Sequence, residues 1–425
     1  LALTLSAIGM AAPPSAEAFA AEIAELRRMI PELPENGDPI SPLIVAAAHA
    51  LGVPCRRSRF HPGTHVLGEG RRQTRFDRSA PLSAPTLGAV LSPGKLPTKR
   101  FLAGLGIPVL RTRVPTDAAD AARHAAELGF PVAIKPIDGT FAQGVVLDVR
   151  TPEEARAGFE SAARHGTAVM IEPYLDTPDF RATVIGGTVA IVMRRNRPHV
   201  TGDGQRTVEA LIVAHNAALA TGTAAFPAGF PVTIDDDVRL TLAKAGLTLA
   251  SIPAPGDRVF VRTLPIRALG GYPTEVTGET HPENLRLFER VARVLAMPIA
   301  AIDFRAEAVD RPWHGQRMAV LEVNVRPGIG DLHGDRLAER LVALHFPEPA
   351  AARLPTVLVV DPEAEANDPA VRAALGDIRG LGFAGPRGLL LDGFPAGDEP
   401  AAMAAAHDRI VEDPTLAVAL HWTTA

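Results

Sequence analysis

The chain has 425 residues, 47% of them hydrophobic and 21% charged, with a formal net charge of −5. That length exceeds one ordinary core and predicts roughly two to four domains or subdomains. The acidic balance and scattered Lys and Arg give no nucleic-acid footprint, and the single cysteine, Cys55, excludes an intrachain disulfide framework and fits a reducing cytoplasm.

Leu1 to Ala12 is apolar but lacks a basic flank and is too short to span a bilayer. No other segment approaches about eighteen uninterrupted apolar residues, so a soluble cytoplasmic protein with no membrane partner is expected. Ala16 to Met29 patterns as a helix, broken at Pro31. Ser41 to Leu51 reads as a helix with Ser41 as cap and Pro42 in its first turn. Residues 63–97 read as strands and loops, and Thr98 to Leu105 as a short helix. Then come a strand at Val109–Val114, a helix at Asp117–Leu128, a strand at Pro131–Pro136, a Gly-bounded loop over 138–144 and a strand at Val145–Val149. A helix at Thr151–Arg164 and a strand at Ala168–Glu172 follow. Asp179 to Met193 reads as a hairpin turning at Gly186-Gly187. Beyond it the pattern gives a helix at Pro282–Leu295 and strands at Ile299–Ala306 and Met318–Val325. The tail restarts with strands at Thr356–Val360, Gly388–Leu391 and Thr415–Trp422, with helices between. Alternating strands and helices at this spacing predict an α/β fold.

Several residues in this frame carry chemistry. Residues two apart on a strand share a face, so Glu322 and Asn324 offer two oxygen ligands side by side, as a hard cation beside a polyphosphate requires. Alone, the pair also fits an edge strand with a solvated polar face. Lys135 ends an apolar strand beside the loop bounded by Gly139 and Gly144, where an ammonium and loop N–H groups can meet nucleotide phosphates. Asp303 is an acid inside an apolar strand, a setting that demands a cationic or metal partner. His61 and His65 are four apart, but Pro-Gly between them prevents the helical face zinc would need.

The order Lys95, Lys135, glycine loop, Glu172, Asp179-Phe-Arg181, Asp303, Glu322-Val-Asn324 resembles that of ATP-grasp enzymes over roughly residues 40 to 347. The resemblance is nearest to the ATP-grasp module of cyanophycin synthetases and of the fused glutamate–cysteine ligase/glutathione synthetases. It is carried further by Lys95-Leu-Pro-Thr-Lys99, Pro198-His-Val-Thr-Gly-Asp-Gly204 and Thr280-His-Pro-Glu-Asn284. It implies a partial N-terminal domain over 1–92, an ATP-grasp domain over 93–347 with a lid subdomain at about 111–172, and a small α/β tail over 355–425. By the same resemblance Lys95 and Lys135 bind ATP phosphates under a lid loop spanning Gly139 to Gly144. Glu172 and Leu175 frame the adenine and Asp179 the ribose, while Asp303, Glu322 and Asn324 hold Mg2+, with Mn2+ as a substitute. Arg181 and Arg195, with Lys135, stabilise the transferring phosphoryl group or anchor a carboxylate.

The implied reaction is an ATP-dependent ligation of a carboxylate to an amine through an acyl phosphate. Its substrates would be small amino acids or short peptides, and self-association is a family habit. Two rival readings stay open: an ATP-grasp enzyme that passes the acyl group to a thiol or stops at phosphoryl transfer, and a non-catalytic nucleotide-binding protein. The chain departs from the family in its lid loop, Thr140-Phe-Ala-Gln143. It departs again at Ile266-Arg-Ala-Leu-Gly-Gly271, where cyanophycin synthetases carry Asn-x-Ser-Thr-Gly-Gly and where Arg267 is the candidate carboxylate anchor. In the tail, Val357–Val360 runs into Asp361-Pro-Glu-Ala-Glu365, so the Mur-ligase-like P-loop expected there lacks its lysine and would repel phosphate.

Overall fold

The computed structural model describes residues 38–58, 63–83, 86–91, 94–138, 143–220, 230–361, 363–375, 378–385, 388–392, 394–397 and 403–423. The predicted helix at 16–29 and most of the glycine loop lie outside them.

The chain first forms α1 (Ser41–Ala50), then a four-stranded antiparallel sheet of β1 (Cys55–Arg57), β2 (Thr64–Leu67), β3 (Thr74–Asp77) and β4 (Ala80–Pro81) in that order. Ser41 is not the cap of α1. Ile40 occupies that position without a side-chain cap hydrogen bond, and Ser41 is buried in the first turn beside Pro42. After α2 (Thr86–Leu91), α3 (Lys95–Gly104) begins three residues earlier than the apolar pattern suggests, because Pro97 fits a first turn, where no N–H bond is lost. The strand predicted at Val109–Val114 is absent as a ladder. Only isolated bridges form there, from Val109 to Val320 and from Arg113 to Ile171.

A three-stranded antiparallel sheet follows, ordered β6 (Val146–Val149), β5 (Val132–Pro136), β7 (Val169–Pro173). Its helices α4 (Ala118–Leu128) and α5 (Pro152–Ala162) start at Asp117 and Thr151, whose side chains accept from Asp120 N and Glu154 N. Small residues on both helices, Ala121, Ala125, Ala155 and Ala162, pack on Val132, Ile134 and Ile171.

The central sheet has five strands in the order β12 (Tyr272–Glu275), β9 (Thr188–Asn196), β8 (Asp179–Ile185), β13 (Ile299–Ala306), β14 (Met318–Asn324). The β8–β9 turn falls at Gly186 and Gly187 (φ +62° and +80°), a backbone state glycine adopts without steric cost. Alternation divides the faces. Phe180, Ala182 and Val184 of β8 and Ala300, Ile302, Phe304 and Ala306 of β13 meet Leu287, Phe288 and Val291 of α8 (the helix Pro282–Val294, numbered after two helices described next) in one core. The opposite face carries Asp179, Arg181, Asp303 and Arg305. It is the face on which the candidate site is built.

Between β9 and β12 lies a part that strand and helix patterning did not single out: the hairpin pair β10 (His199–Thr201) and β11 (Arg258–Phe260) with α6 (Val208–Ala220) and α7 (Asp236–Lys244). It has its own small core of Val200, Val208, Ile212, Val238, Leu242 and Val261. Buried Arg262 ties it together by bonding Asp235, Asp237 and the Thr233 carbonyl at 2.7, 3.0 and 2.9 Å.

After α9 (Gly334–His345), the tail forms a mixed sheet, β15 (Thr356–Val360), β19 (Val418–Thr423), β16 (Leu381–Gly385), β17 (Gly388–Leu391), β18 (Phe394–Gly397), with α10 (Ala364–Leu375) and α11 (Met403–Glu412). The last strand begins three residues later than read from sequence. The tail is bonded to the first sheet: Arg56 Nη2 donates to the Val411 carbonyl at 2.6 Å and Gln73 Nε2 to the Glu412 carbonyl at 3.1 Å. Among the described residues no helix is long and apolar enough to cross a membrane.

Candidate active site

Strand register brings the predicted residues together. Asp303 on β13 faces Arg181 on β8 and, on its other side, Glu322 on β14, while Asn324 faces Ala301. The β13–β14 ladder shifts register just after Asp303 and Glu322, a bulge of the kind that re-aims side chains beside functional sites. β14 is the edge strand of its sheet, so the edge-strand reading of Glu322 and Asn324 is topologically correct and compatible with a site. The turn after it is held from below: Arg326 pairs with Asp77 at 3.0 Å and Ser79 donates to the Pro327 carbonyl at 2.6 Å.

Asp303 is buried, and its partner is a guanidinium. Arg181 donates Nε to Oδ1 at 2.7 Å and Nη2 to Oδ2 at 2.9 Å, and Arg195 Nη1 lies 3.3 Å from Oδ2. Burial alone would raise the Asp303 pKa, but Arg181, Arg195 and the Asn324 amide bring it below the usual aspartate value. Asp179, the register partner of Arg195, lies 3.5 Å from both Arg195 and Arg305, yet its deep burial keeps its pKa raised. Arg305 also donates to the Leu175 carbonyl at 2.5 Å and lies over the Tyr174 ring, so it binds the end of β7 to the central sheet.

A second charged cluster sits where the three-stranded sheet meets α3. Glu172 on β7 is fully buried and bonded to Lys99 of α3, with Lys135 of β5 at 2.5 Å and the Thr112 hydroxyl donating at 2.6 Å. Desolvation would raise its pKa; the two lysines overcome that and hold it down to about 2. Burial and the neighbouring Lys135 lower Lys99 to about 8, and burial also lowers Lys95, offset in part by Glu322. Lys99 and Thr112 thus both hold the Glu172 Oε1, while Oε2 is met by Lys135 as an ion pair. Lys99 and Thr112 were not singled out from sequence, although Lys99 stands one helical turn from Lys95 in the same motif.

Lys95, Lys99, Leu321 and Glu322 line one narrow cleft that joins the clusters. A wider one of about 100 Å³ is lined by Asp179, Arg194, Arg195, Arg197, Arg258 and Arg305, with Tyr272 and Phe260. Of the loop residues, Gly144 is described, at φ +69° against His165, whereas Gly139 lies outside the described residues. Arg267 is not an open anchor: it pairs with Asp331 at 2.6 Å and lies over the Phe230 ring.

Residues 93–170 match the ATP-grasp domain family. In three dimensions the chain superposes on a bifunctional glutathione synthetase from Pasteurella multocida with a TM-score of 0.55 at 20% identity, covering 74% of this chain and 44% of that one. The chain has an ATP-grasp fold. In sequence, the ATP-grasp residues here are similar to cyanophycin synthetase from Trichormus variabilis, 29% identical over 396 residues that make up 90% of this chain and 43% of the relative. A glutathione biosynthesis bifunctional protein from Mannheimia succiniciproducens is 26% identical over 57% of this chain and 33% of its own length. The chain thus spans less than half the length of the curated relatives it matches. Within the ATP-grasp frame, the cleft at Lys95 and Leu321 lies between α3 and the edge strand carrying Glu322.

Proposed function

We propose that the chain is an ATP-dependent ligase that joins a carboxylate to an amine through an acyl phosphate. The observation that carries this reading is that Glu322, the register partner of Asp303, lines one cleft with Lys95 and Lys99, and that Lys99 shares the Glu172 carboxylate with Lys135. A carboxylate oxygen attacking the γ-phosphorus must approach three negatively charged oxygens, so cations have to be in place beforehand. Lys95 and Lys135 supply that charge from the side of the three-stranded sheet, and Arg195 supplies it from β9. The P–O bond to ADP breaks as the acyl phosphate forms. The amine then attacks the acyl carbon, phosphate leaves, and the nitrogen loses a proton.

The donor set suits Mg2+. Asp303, Glu322 and Asn324 offer hard oxygens from adjacent strands, and Mg2+ is commonly held by one or two carboxylates together with substrate phosphates rather than by an all-protein cage. Among the described residues no group of three or more His, Cys, Asp or Glu side chains gathers around a metal position. Phosphate oxygens and water would therefore complete the shell. Bound there, the ion would neutralise charge on the β- and γ-phosphates. Arg181 fixes the orientation of Asp303 in that set, with Arg195 shared between Asp303 and Asp179. In this reading Glu172 to Leu175 would frame an adenine and Asp179 would contact the ribose.

A screen of amino acids and short peptides for ADP release, with product mass, tests the reading. Amide product with one pair is expected. Nucleotide binding with no turnover on any pair would instead favour a non-catalytic protein, and thioester or phosphorylated product one of the other ATP-grasp chemistries.

A further inference from the structure

The geometry points to Lys99 as a positioning residue that keeps Glu172 neutralised so that Lys135 can leave it for the nucleotide phosphates. This rests on the ligase reading above, because it concerns how the same cleft takes ATP. Lys135 is paired to Glu172 at 2.5 Å, with its side chain 19% exposed, whereas Glu172 is completely buried. A cation cannot simply abandon a carboxylate that is shut away from water, since an unpaired buried charge is heavily penalised. Glu172 limits that penalty because Lys99, 5% exposed, and Thr112 at 2.6 Å both hold Oε1, so the carboxylate keeps a neutralising cation when Lys135 moves off Oε2.

Placement separates the roles of the two lysines. Lys99 lies on α3 and is packed within the molecule, while Lys135 is on β5, four residues before the segment 139–142 of the glycine loop. Lys135, 19% exposed against 5% for Lys99, is the one with room to swing towards a phosphate. The charged groups around Lys99 are Glu172, Lys135 and Lys95, one anion against three cations, with Glu322 facing Lys95. The cluster thus carries excess positive charge that a bound phosphate would offset. Removing the Lys99 charge leaves Glu172 dependent on Lys135 and makes the phosphates compete for that lysine.

The pH consequence has a definite sign. Burial and the nearby lysines lower Lys99 to about 8, so it is charged at neutrality and loses its proton as the pH rises through that value. ATP affinity should fall over the same interval.

The test is ATP binding by the full chain, measured calorimetrically with MgATP from pH 7 to 9.5, for wild type, Lys99→Met and Lys99→Arg. Lys99→Met should bind ten- to a hundredfold more weakly at pH 7, the value of about one charge-assisted hydrogen bond, and lose the alkaline decline. Lys99→Arg, which stays charged, should restore most of the affinity and move the decline upward. Wild type that binds no MgATP would defeat the ligase reading itself. Wild type that binds with no alkaline decline, or whose decline is unchanged in Lys99→Arg, would overturn the role of Lys99 alone. The wild-type profile decides this even if Lys99→Met does not fold.

Discussion

Arg181 and Asp303 are register partners on adjacent strands, joined by two parallel hydrogen bonds of 2.7 and 2.9 Å. The guanidinium fork matches the carboxylate with both donors, so the acid's orientation is fixed before any ligand arrives. Arg181→Leu strands a buried carboxylate and should cost about 3–5 kcal/mol in urea unfolding. Arg181→Lys keeps the charge without the fork, and should recover much of the stability while ADP release stays low. Wild-type ADP release by Arg181→Lys would mean that the fork does not serve the chemistry.

Glu322 is half-buried on an edge strand and contributes little to any core. Glu322→Gln should therefore melt within a few degrees of wild type yet release almost no ADP. Near-normal turnover in this variant would remove Glu322 from the metal set.

Glu172 gives a stability signature in acid. Its folded pKa is near 2 against an ordinary value of 4.5, so its contribution is complete above about pH 4.5 and disappears as the pH falls towards 2. The total is about 3 kcal/mol on the usual conversion of pKa shift to free energy. The stability difference between wild type and Glu172→Gln, followed by urea unfolding from pH 6 to 2, should shrink over that interval. A difference that stayed constant would place the charge effect elsewhere.

Gly70 is where the first sheet meets the tail. At φ +54° its added Cβ would lie 2.4 Å from the Leu416 carbonyl, next to the bond from Arg71 N to the same oxygen at 2.6 Å. Gly70→Ala should cost about 1–3 kcal/mol through overpacking and strain. It should speed proteolytic cleavage within 355–425 while leaving MgATP affinity unchanged. Loss of affinity would show that the docked tail supports the nucleotide cleft.

The strands around the site were legible because their chemistry is periodic. Ile299–Ala306 matches its predicted bounds, and Asp303, the acid read inside it, has a guanidinium partner of the kind that setting demands. What could not be read was contact across elements. The resemblance put Glu172 beside an adenine; its partners Lys99, Thr112 and Lys135 come from α3, from the segment before α4 and from β5, which only the folded arrangement juxtaposes. The Val109–Val114 run was apolar enough for a strand, but Val109 and Arg113 each bridge to a different partner strand, so no ladder develops. The part between β9 and β12 escaped notice because its core comes from short pieces interleaved with Pro and Gly.

The arrangement at Glu172 also limits how the molecule can move. The carboxylate belongs to the three-stranded sheet, and Lys99 to a helix whose residue Leu102 is part of the central core. Pulling the two apart would leave both charges in an apolar surround. Glu172 thus ties the three-stranded sheet to the central core at one buried point.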